Sequence, residues 1–203
     1  MSLSVRDRER ISAAIRNAEA ETSGEIVCVL AQASSDTTAL PILVAALFAL
    51  ALPWLLVALS TMPVHRILSS QAITFFALAV LLSLPSVRTA LIPRAARRAV
   101  AHRVAMEQFS IRGIARKKER SGILIFVSLA ERYSRIIADE GIAARVPQAQ
   151  WQEAVDVLVA HTKGGRMADG FISAIEKCGN VLATNFPRSE TSRDELPDRI
   201  YLI

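Results

Sequence analysis

GILIFVSLAERYSRIIADEGI, residues 122–142, is the stretch from which the fold can be read. GILIFVSLA (122–130) is the strongest strand in the chain, a run of Ile, Leu, Val and Phe bounded by glycine. Glu131-Arg132 interrupts it, and YSRIIADEG (133–141) carries apolar residues that suit a second strand folded back on the first as a hairpin. A two-stranded hairpin is not stable alone in water. Its partners must lie on either side.

Toward the N-terminus, Arg94 to Lys118 places Val100, Val104, Ile111 and Ala115 at helical spacing with arginines on the other faces, and Ser121-Gly122 ends the pattern. Toward the C-terminus two helices follow Pro147. Trp151, Val155 and Leu158 mark the first, closed by Gly164-Gly165; Met167, Phe171, Ile175, Cys178 and Leu182 mark the second. The tail PRSETSRDELPDRIYLI (187–203) reads as extended. At the other end of the chain, Arg6 to Ala20 has Ile11, Ile15 and Ala18 on one helical face; Thr22-Ser23-Gly24 stops it, and EIVCVLA (25–31) reads as a strand buried on both faces. One helix and one strand cannot bury themselves, so this N-terminal piece must join the sheet supplied by the later sequence.

What separates the two pieces is apolar. Residues 39–60, ALPILVAALFALALPWLLVALS, hold no charge and as a helix reach roughly 33 Å, enough to cross a hydrocarbon core of about 30 Å. Residues 67–87 are again uncharged, although Ser69, Ser70 and Gln71 dilute their first turns. The alternative for this second run is a buried core helix, but two neighbouring runs of such length are hard to fit inside one small domain. Pro41, Pro53 and Pro85 are compatible with helices in a bundle, where neighbours satisfy the freed carbonyls. The connection Ser60–Ser69 carries one Lys/Arg, Arg66; Arg6, Arg8, Arg10 and Arg16 precede the first span, and Arg88, Arg94, Arg97, Arg98 and Arg103 follow the second. The positive-inside rule then places both ends in the cytoplasm. The first fifteen residues are too polar for a signal-peptide core, so the hairpin is expected to be retained.

Composition agrees. The chain has 203 residues, 52% of them hydrophobic, and its mean hydropathy is +0.33. Two cysteines exclude a disulfide framework and fit a reducing compartment. The net charge of +5 comes from one place: Arg88 to Arg120 holds ten Lys/Arg against two acids, and the remaining polar sequence is slightly acidic. That speaks against nucleic acid as a partner, as does the lack of an aromatic stacking platform beside the basic run. Arg88, Arg94, Arg97 and Arg98 are instead expected to lie at the membrane surface, where anionic lipid attracts them.

The hairpin GILIFVSLAERYSRIIADEGI, the earlier SGEIVCVL, the Gly165-x-x-x-x-Gly170 step and the closing FPRSETSRDELPD together resemble the TPM domain family, also called TPM phosphatase or DUF477. The resemblance covers most of the chain outside the apolar runs. It is greatest to bacterial membrane members in which a transmembrane hairpin follows the first strand, which implies a multi-pass protein of the bacterial inner membrane. It also implies an α/β/α sandwich with strand one beside strand two. Family members include acid phosphatases and calcium binders. Many relatives read Asp-Arg after the central strand and Gly-x-Gly-Leu-Glu later; the matching positions here are Glu131-Arg132 and Asp139-Glu140-Gly141-Ile142-Ala143. Ala143 stands where the last family carboxylate would be, and Asp139 is the neighbouring acid that could compensate.

Outside the resemblance the chemical inventory is short. No P-loop, GxGxxG, HExxH, GxSxG or EF-hand loop is present. His65, His102 and His161 read as structural or solvated, Cys28 and Cys178 as small core residues. Asp139 and Glu140 are candidate ligands for a hard divalent cation such as calcium; the alternative is a solvated turn, since two carboxylates fall short of a full oxygen shell. Glu131, Arg132 and Arg135 are candidates for contact with a ligand or partner, the arginines through phosphate or carboxylate.

The expected fold class is therefore α/β: a three-layer α/β/α sandwich on a short mixed sheet, interrupted by a two-helix transmembrane hairpin. Residues 1–38 supply a helix and the first strand, 39–92 the hairpin, 93–186 the rest of the domain and 187–203 the tail. The expected function is a cytoplasmic, membrane-anchored, non-catalytic module that binds or assembles other membrane proteins; the alternative is a divalent-metal-assisted phosphatase.

Overall fold

Two strands in this chain are buried along their whole length, and the sheet follows from that. In the computed structural model, which describes residues 3–34, 39–84, 87, 93–114, 121–188 and 196–203, all seven residues of β1 (Glu25–Ala31) and of β2 (Gly122–Ser128) are buried. They pair in parallel, Val27 opposite Leu124, despite the ninety-odd residues between them. β3 (Tyr133–Ala138) runs antiparallel to β2, with Ile125 opposite Ile136. A fourth strand, β4 (Ile200–Leu202), pairs in parallel with β1, giving the order β3-β2-β1-β4. The expected extended tail thus contributes a sheet edge that the sequence reading did not assign.

The chain divides into two units. One comprises Met1–Ser34 and Arg98–Ile203, the other Ser35–Arg97. In the first, helices cover both faces of the small mixed sheet. Ile26, Cys28, Leu30, Ile123, Ile125 and Val127 face a core completed by Ile11 and Ile15 of α1 (Val5–Glu19) and by residues from two C-terminal helices. Val27, Val29, Leu124 and Phe126 point the other way, onto Ala105 and Phe109 of the helix Arg94–Ile111. The alternation is the period of two that any strand imposes. α1 starts at a capping box: Ser4 Oγ accepts from the Asp7 amide at 3.1 Å and the Asp7 carboxylate accepts from the Ser4 amide at 3.3 Å.

The second unit is a pair of helices in contact, α2 (Ala39–Leu59) and α3 (Val64–Ser83). Both are long and apolar enough to cross a membrane, over Pro41–Leu59 and Val64–Ser83. Little of either is buried; among the described residues Pro41, Ala45, Ala49 and Ile67 are the buried positions, while Trp54 is 82% exposed and Leu59 76%. The connection is shorter than the sequence predicts, because α3 begins right after Pro63 and takes His65 and Arg66 into its first turn. A proline fixed near −65° is pre-organised to start a helix.

After these helices comes α4 (Arg94–Ile111), whose buried face is Ala101, Ala105 and Phe109, one position away from the expected Val100-Val104-Ile111 stripe. Val100 and Val104 are half-buried and Ile111 is 61% exposed. Ala105 and Phe109 pack with Val27, Val29, Leu124 and Phe126 of the sheet. The helix stops at Ile111, before Gly113 at φ 78°, and the expected extension through Ala115 to Lys118 lies outside the described residues, as do Pro85 and Arg88. Gly122 belongs to β2 instead of stopping that helix: a Cβ there would collide with Cγ2 of Ile114. β3 also ends earlier than expected, since Asp139 leaves the ladder to cap α5 (Glu140–Ala143). α6 (Gln148–Lys163) and α7 (Met167–Asn185) lie where the sequence predicts, with Trp151 and Leu158 of α6 and Met167, Phe171, Ile175, Cys178 and Leu182 of α7 buried.

Candidate functional site

The residues singled out in the sequence lie at the two ends of β3, and the strand between them keeps them apart. A six-residue strand rising about 3.4 Å per residue separates its ends by roughly 17–20 Å, so Glu131 and the Asp139-Glu140 pair share no site.

At the hairpin turn, Arg132 adopts φ 50°, a left-handed conformation that turns the chain back into β3. Glu131 is only 6% exposed and points inward. Its Oε2 accepts from the amide of Ser34 at 3.0 Å and from Ser128 Oγ, and Ser34 Oγ donates to Ser128 Oγ at 2.8 Å. Glu131 therefore ties the end of β2 to the chain leaving β1, while Arg132 and Arg135 stand exposed. The three do not form one surface. Glu131→Ala strips an acceptor from a buried hydroxyl and from a backbone amide; the expected loss is about 1–3 kcal/mol, read from thermal melts, with Glu131→Gln losing less because it keeps an acceptor oxygen.

At the other end, Asp139 is buried, and its Oδ1 accepts from the Glu140 amide at 2.7 Å. Its own amide donates to the Gly122 carbonyl at 2.9 Å, closing the ladder. Oδ2 has no hydrogen-bond partner, and Glu140 is exposed. One buried carboxylate already engaged as a cap and one exposed carboxylate fall short of the six to eight oxygens that calcium takes. Among the described residues, no group of three or more His, Cys, Asp or Glu side chains could hold a metal ion.

Cys28 and Cys178 are fully buried, and burial pushes the Cys178 thiol up to about 12 and the Cys28 thiol well above its ordinary value. Neither is a nucleophile in this state. Arg94 and Arg98 are exposed and Arg97 half-buried on the first turns of α4.

Two features escaped the sequence reading. Tyr133 Oη and His102 Nδ1 lie 3.2 Å apart, joining β3 to α4; the two residues are thirty-one positions apart and no local pattern connects them. Glu19 accepts from the Ile26 amide at 2.6 Å, and its carboxyl is pushed up to about 9, first by burial and then by Asp198, with which it shares a hydrogen bond, and by Glu25. In the sequence Glu19 is one more polar residue on an amphipathic helix, and Asp198 sits in the tail.

Residues 86–181 match the family model described as the TPM domain. None of the curated proteins matches the chain. Among solved structures, the NMR structure of BA42 protein from the psychrophilic bacterium Bizionia argentinensis is similar, at 22% identity and a TM-score of 0.63, covering 100% of this chain and 97% of that one. That likeness concerns the fold. With the parallel β1–β2 pair, the β2–β3 hairpin and helices on both faces of the sheet, it is in keeping with the match of residues 86–181 to the TPM domain.

Proposed function

We propose that this chain is an integral membrane protein whose α2–α3 hairpin anchors the TPM domain at the cytoplasmic face of a bacterial inner membrane, where the domain binds or helps assemble other membrane proteins without catalysis. The observation that carries the reading is the outward exposure of the hairpin's large apolar side chains, Trp54, Leu59, Val64 and Phe76 among them. A core helix of a water-soluble protein hides such residues, and monomeric soluble proteins rarely expose apolar patches beyond a few hundred Å². Hydrocarbon is the solvent in which this surface costs nothing. Arg94, Arg97 and Arg98 supply the positive flank expected on the cytoplasmic side. For the binding role, the support is that Asp139, engaged as a helix cap, and Glu140 by themselves fall short of the oxygen shell of a divalent cation, and that no group of three or more His, Cys, Asp or Glu among the described residues could hold one.

Membrane fractionation tests the anchor. The full chain is expected to stay in the pellet through alkaline carbonate and to be released by detergent, with tags at both termini protected from protease in right-side-out vesicles. Recovery in the carbonate supernatant would overturn the reading. Leu50→Arg, in the middle of α2, is expected to weaken insertion by about 2.5–3.5 kcal/mol and to shift protein toward the supernatant. Turnover of para-nitrophenyl phosphate that depends on divalent ions would overturn the non-catalytic role.

A further inference from the structure

The chain leaves the α/β unit after Ser34 and returns to it at Arg98, and hydrogen bonding shows that both points lie at one end of the sheet. β1, β2 and β4 are parallel, so their C-terminal ends lie together. The Gln32 amide donates to the Ile203 carbonyl at 2.9 Å, and the Ala130 amide donates to the Gln32 carbonyl at 3.1 Å. Glu131 ties the β2–β3 turn to the exit at Ser34, and His102 of α4, one turn beyond Arg98, meets Tyr133 at the start of β3. α1 and α7 run the other way. Glu19, the last residue of α1, accepts from Ile26 near the start of β1, and the Phe186 carbonyl after α7 accepts from Thr22 Oγ1 and from the Ser23 amide. Both helices therefore begin at the end where the chain departs, with Leu3 and Asp7 beside Arg166 and Met167 in one groove.

What that end presents is basic and apolar. Arg6 in the first turn of α1, Arg98 in α4, Arg132 in the β2–β3 turn, and Lys163 and Arg166 on either side of the α6–α7 turn are all exposed. Val5, Leu202 and Ile203 are exposed with them. Of the acids near these residues, Asp7 closes the capping box of α1, Asp169 pairs with Arg10 at 2.8 Å, Glu131 is buried beneath its turn, and Glu9 lies one turn back among Arg8, Arg16 and Arg199. The tether is also short: the five residues from Ser35 to Ala39, where α2 begins, span at most about 18 Å.

We propose that this end of the TPM domain docks on anionic phospholipid headgroups, with its arginines and Lys163 on the phosphates and Val5, Leu202 and Ile203 in the headgroup layer. Charge complementarity selects the partner. An anionic leaflet attracts basic side chains at its surface, and each one there multiplies the docked population about fivefold. The long arginine and lysine stems cover the apolar residues beside them while their charged heads reach the phosphates. The proposal rests on the reading of α2–α3 as an anchor and adds that the bilayer also fixes which end of the domain faces it.

The test uses the full chain reconstituted into vesicles of phosphatidylcholine or of an equal mixture of phosphatidylcholine and phosphatidylglycerol, each with a trace of headgroup-spin-labelled lipid as quencher. Cys28 and Cys178 are buried, so a thiol-reactive fluorophore goes to an introduced cysteine. Gly164→Cys puts it in the α6–α7 turn, at a φ of −81° that any residue adopts; Asn180→Cys puts it about 20 Å further along α7. The expected result is stronger quenching at position 164 in the phosphatidylglycerol mixture than in phosphatidylcholine, with no such difference at position 180. About 1 M salt, where the Debye length falls to about 3 Å, removes the difference, and this comparison needs no surface variant. Lys163→Glu combined with Arg166→Glu lowers the docked population at least about tenfold, whereas Arg16→Glu, in the last turn of α1 at the opposite end, leaves it unchanged. Equal quenching in the two lipids would overturn the proposal and leave the surface to an acidic protein. Stronger quenching at position 180 than at 164, or quenching that survives both salt and the double charge reversal, would overturn it as well. A carbonate-resistant chain that ignores lipid charge loses the docked end and keeps the anchor; a carbonate-extracted chain that binds only the anionic vesicles loses the anchor and keeps the surface.

Discussion

Truncating Phe171 to alanine is expected to destabilise the α/β unit by about 3–5 kcal/mol, the cost of deleting a fully buried aromatic ring and leaving a cavity behind. Phe171 is 0% exposed, on the face of α7 that also buries Ile175, Cys178 and Leu182 against the sheet. The surroundings have little freedom to collapse, because α7 is held close to α1: a Cβ at Gly179 would lie 2.8 Å from the Cβ of Ala18. That contact joins one backbone to a side chain with no rotamer to yield, so Gly179→Val must push the helices apart, at a cost of about 1–3 kcal/mol or more. Denaturant melts of the detergent-solubilised chain, followed by near-ultraviolet circular dichroism, measure both. Trp151→Phe is the contrasting case. It keeps most of the buried ring and removes an indole N–H that has no acceptor, so the expected loss is below about 1.5 kcal/mol. A Phe171→Ala loss no greater than that of Trp151→Phe would mean that α7 does not pack on the sheet as described.

These core positions were legible in the sequence because period and burial coincide. Met167, Phe171, Ile175, Cys178 and Leu182 repeat at helical spacing, and β1 from Ile26 to Ala31 and β2 from Gly122 to Val127 are continuously apolar because both their faces are covered. That the N-terminal strand joins the later sheet could also be argued from the sequence, since a lone strand had nowhere else to satisfy its backbone; its place beside β2 followed only from the family resemblance, and its parallel direction from the structure. α4 shows where the method errs. Bulky Val100, Val104 and Ile111 look like the buried stripe, but the helix turns Ala101, Ala105 and Phe109 inward, and alanine is a weak signal of orientation in a sequence. β4 was not legible, being three residues long and preceded by a polar tail. The candidate site was less legible still. Glu131 and Asp139 were recognised as distinctive, yet the first is a buried tie and the second a helix cap. What a carboxylate does depends on which backbone amides reach it, and that is settled by long-range packing.

Replacing Glu19 by glutamine is expected to flatten the pH dependence of stability and to raise stability at alkaline pH. The carboxyl of Glu19 is pushed from an ordinary value of 4.5 to about 9, chiefly by burial and next by Asp198 and Glu25. The backbone bond from Ile26 pulls the other way. At neutral pH the folded chain therefore holds a proton on Glu19 that the unfolded chain releases. Stability from this group is fully present below about pH 4.5 and declines as pH rises toward 9, with a slope of at most about 1.4 kcal/mol per pH unit. The groups facing Glu19 are acids and a thiol, Asp198, Glu25 and Cys28, with Arg188 reaching only the backbone carbonyls of Glu19 and Ala20 at 3.2 and 3.3 Å. Glutamine reproduces the protonated acid: its carbonyl oxygen accepts from Ile26 and its amide donates to Asp198. Melting temperatures of wild type and Glu19→Gln should thus agree near pH 5 and diverge by pH 8.5, with the variant higher. Asp198→Asn removes the second cause and leaves burial in place, so it should shift the decline to higher stability at each alkaline pH without abolishing it. Parallel pH profiles for wild type and Glu19→Gln would show that Glu19 is ionised in the fold, and that β4 docks on β1 without the shared proton.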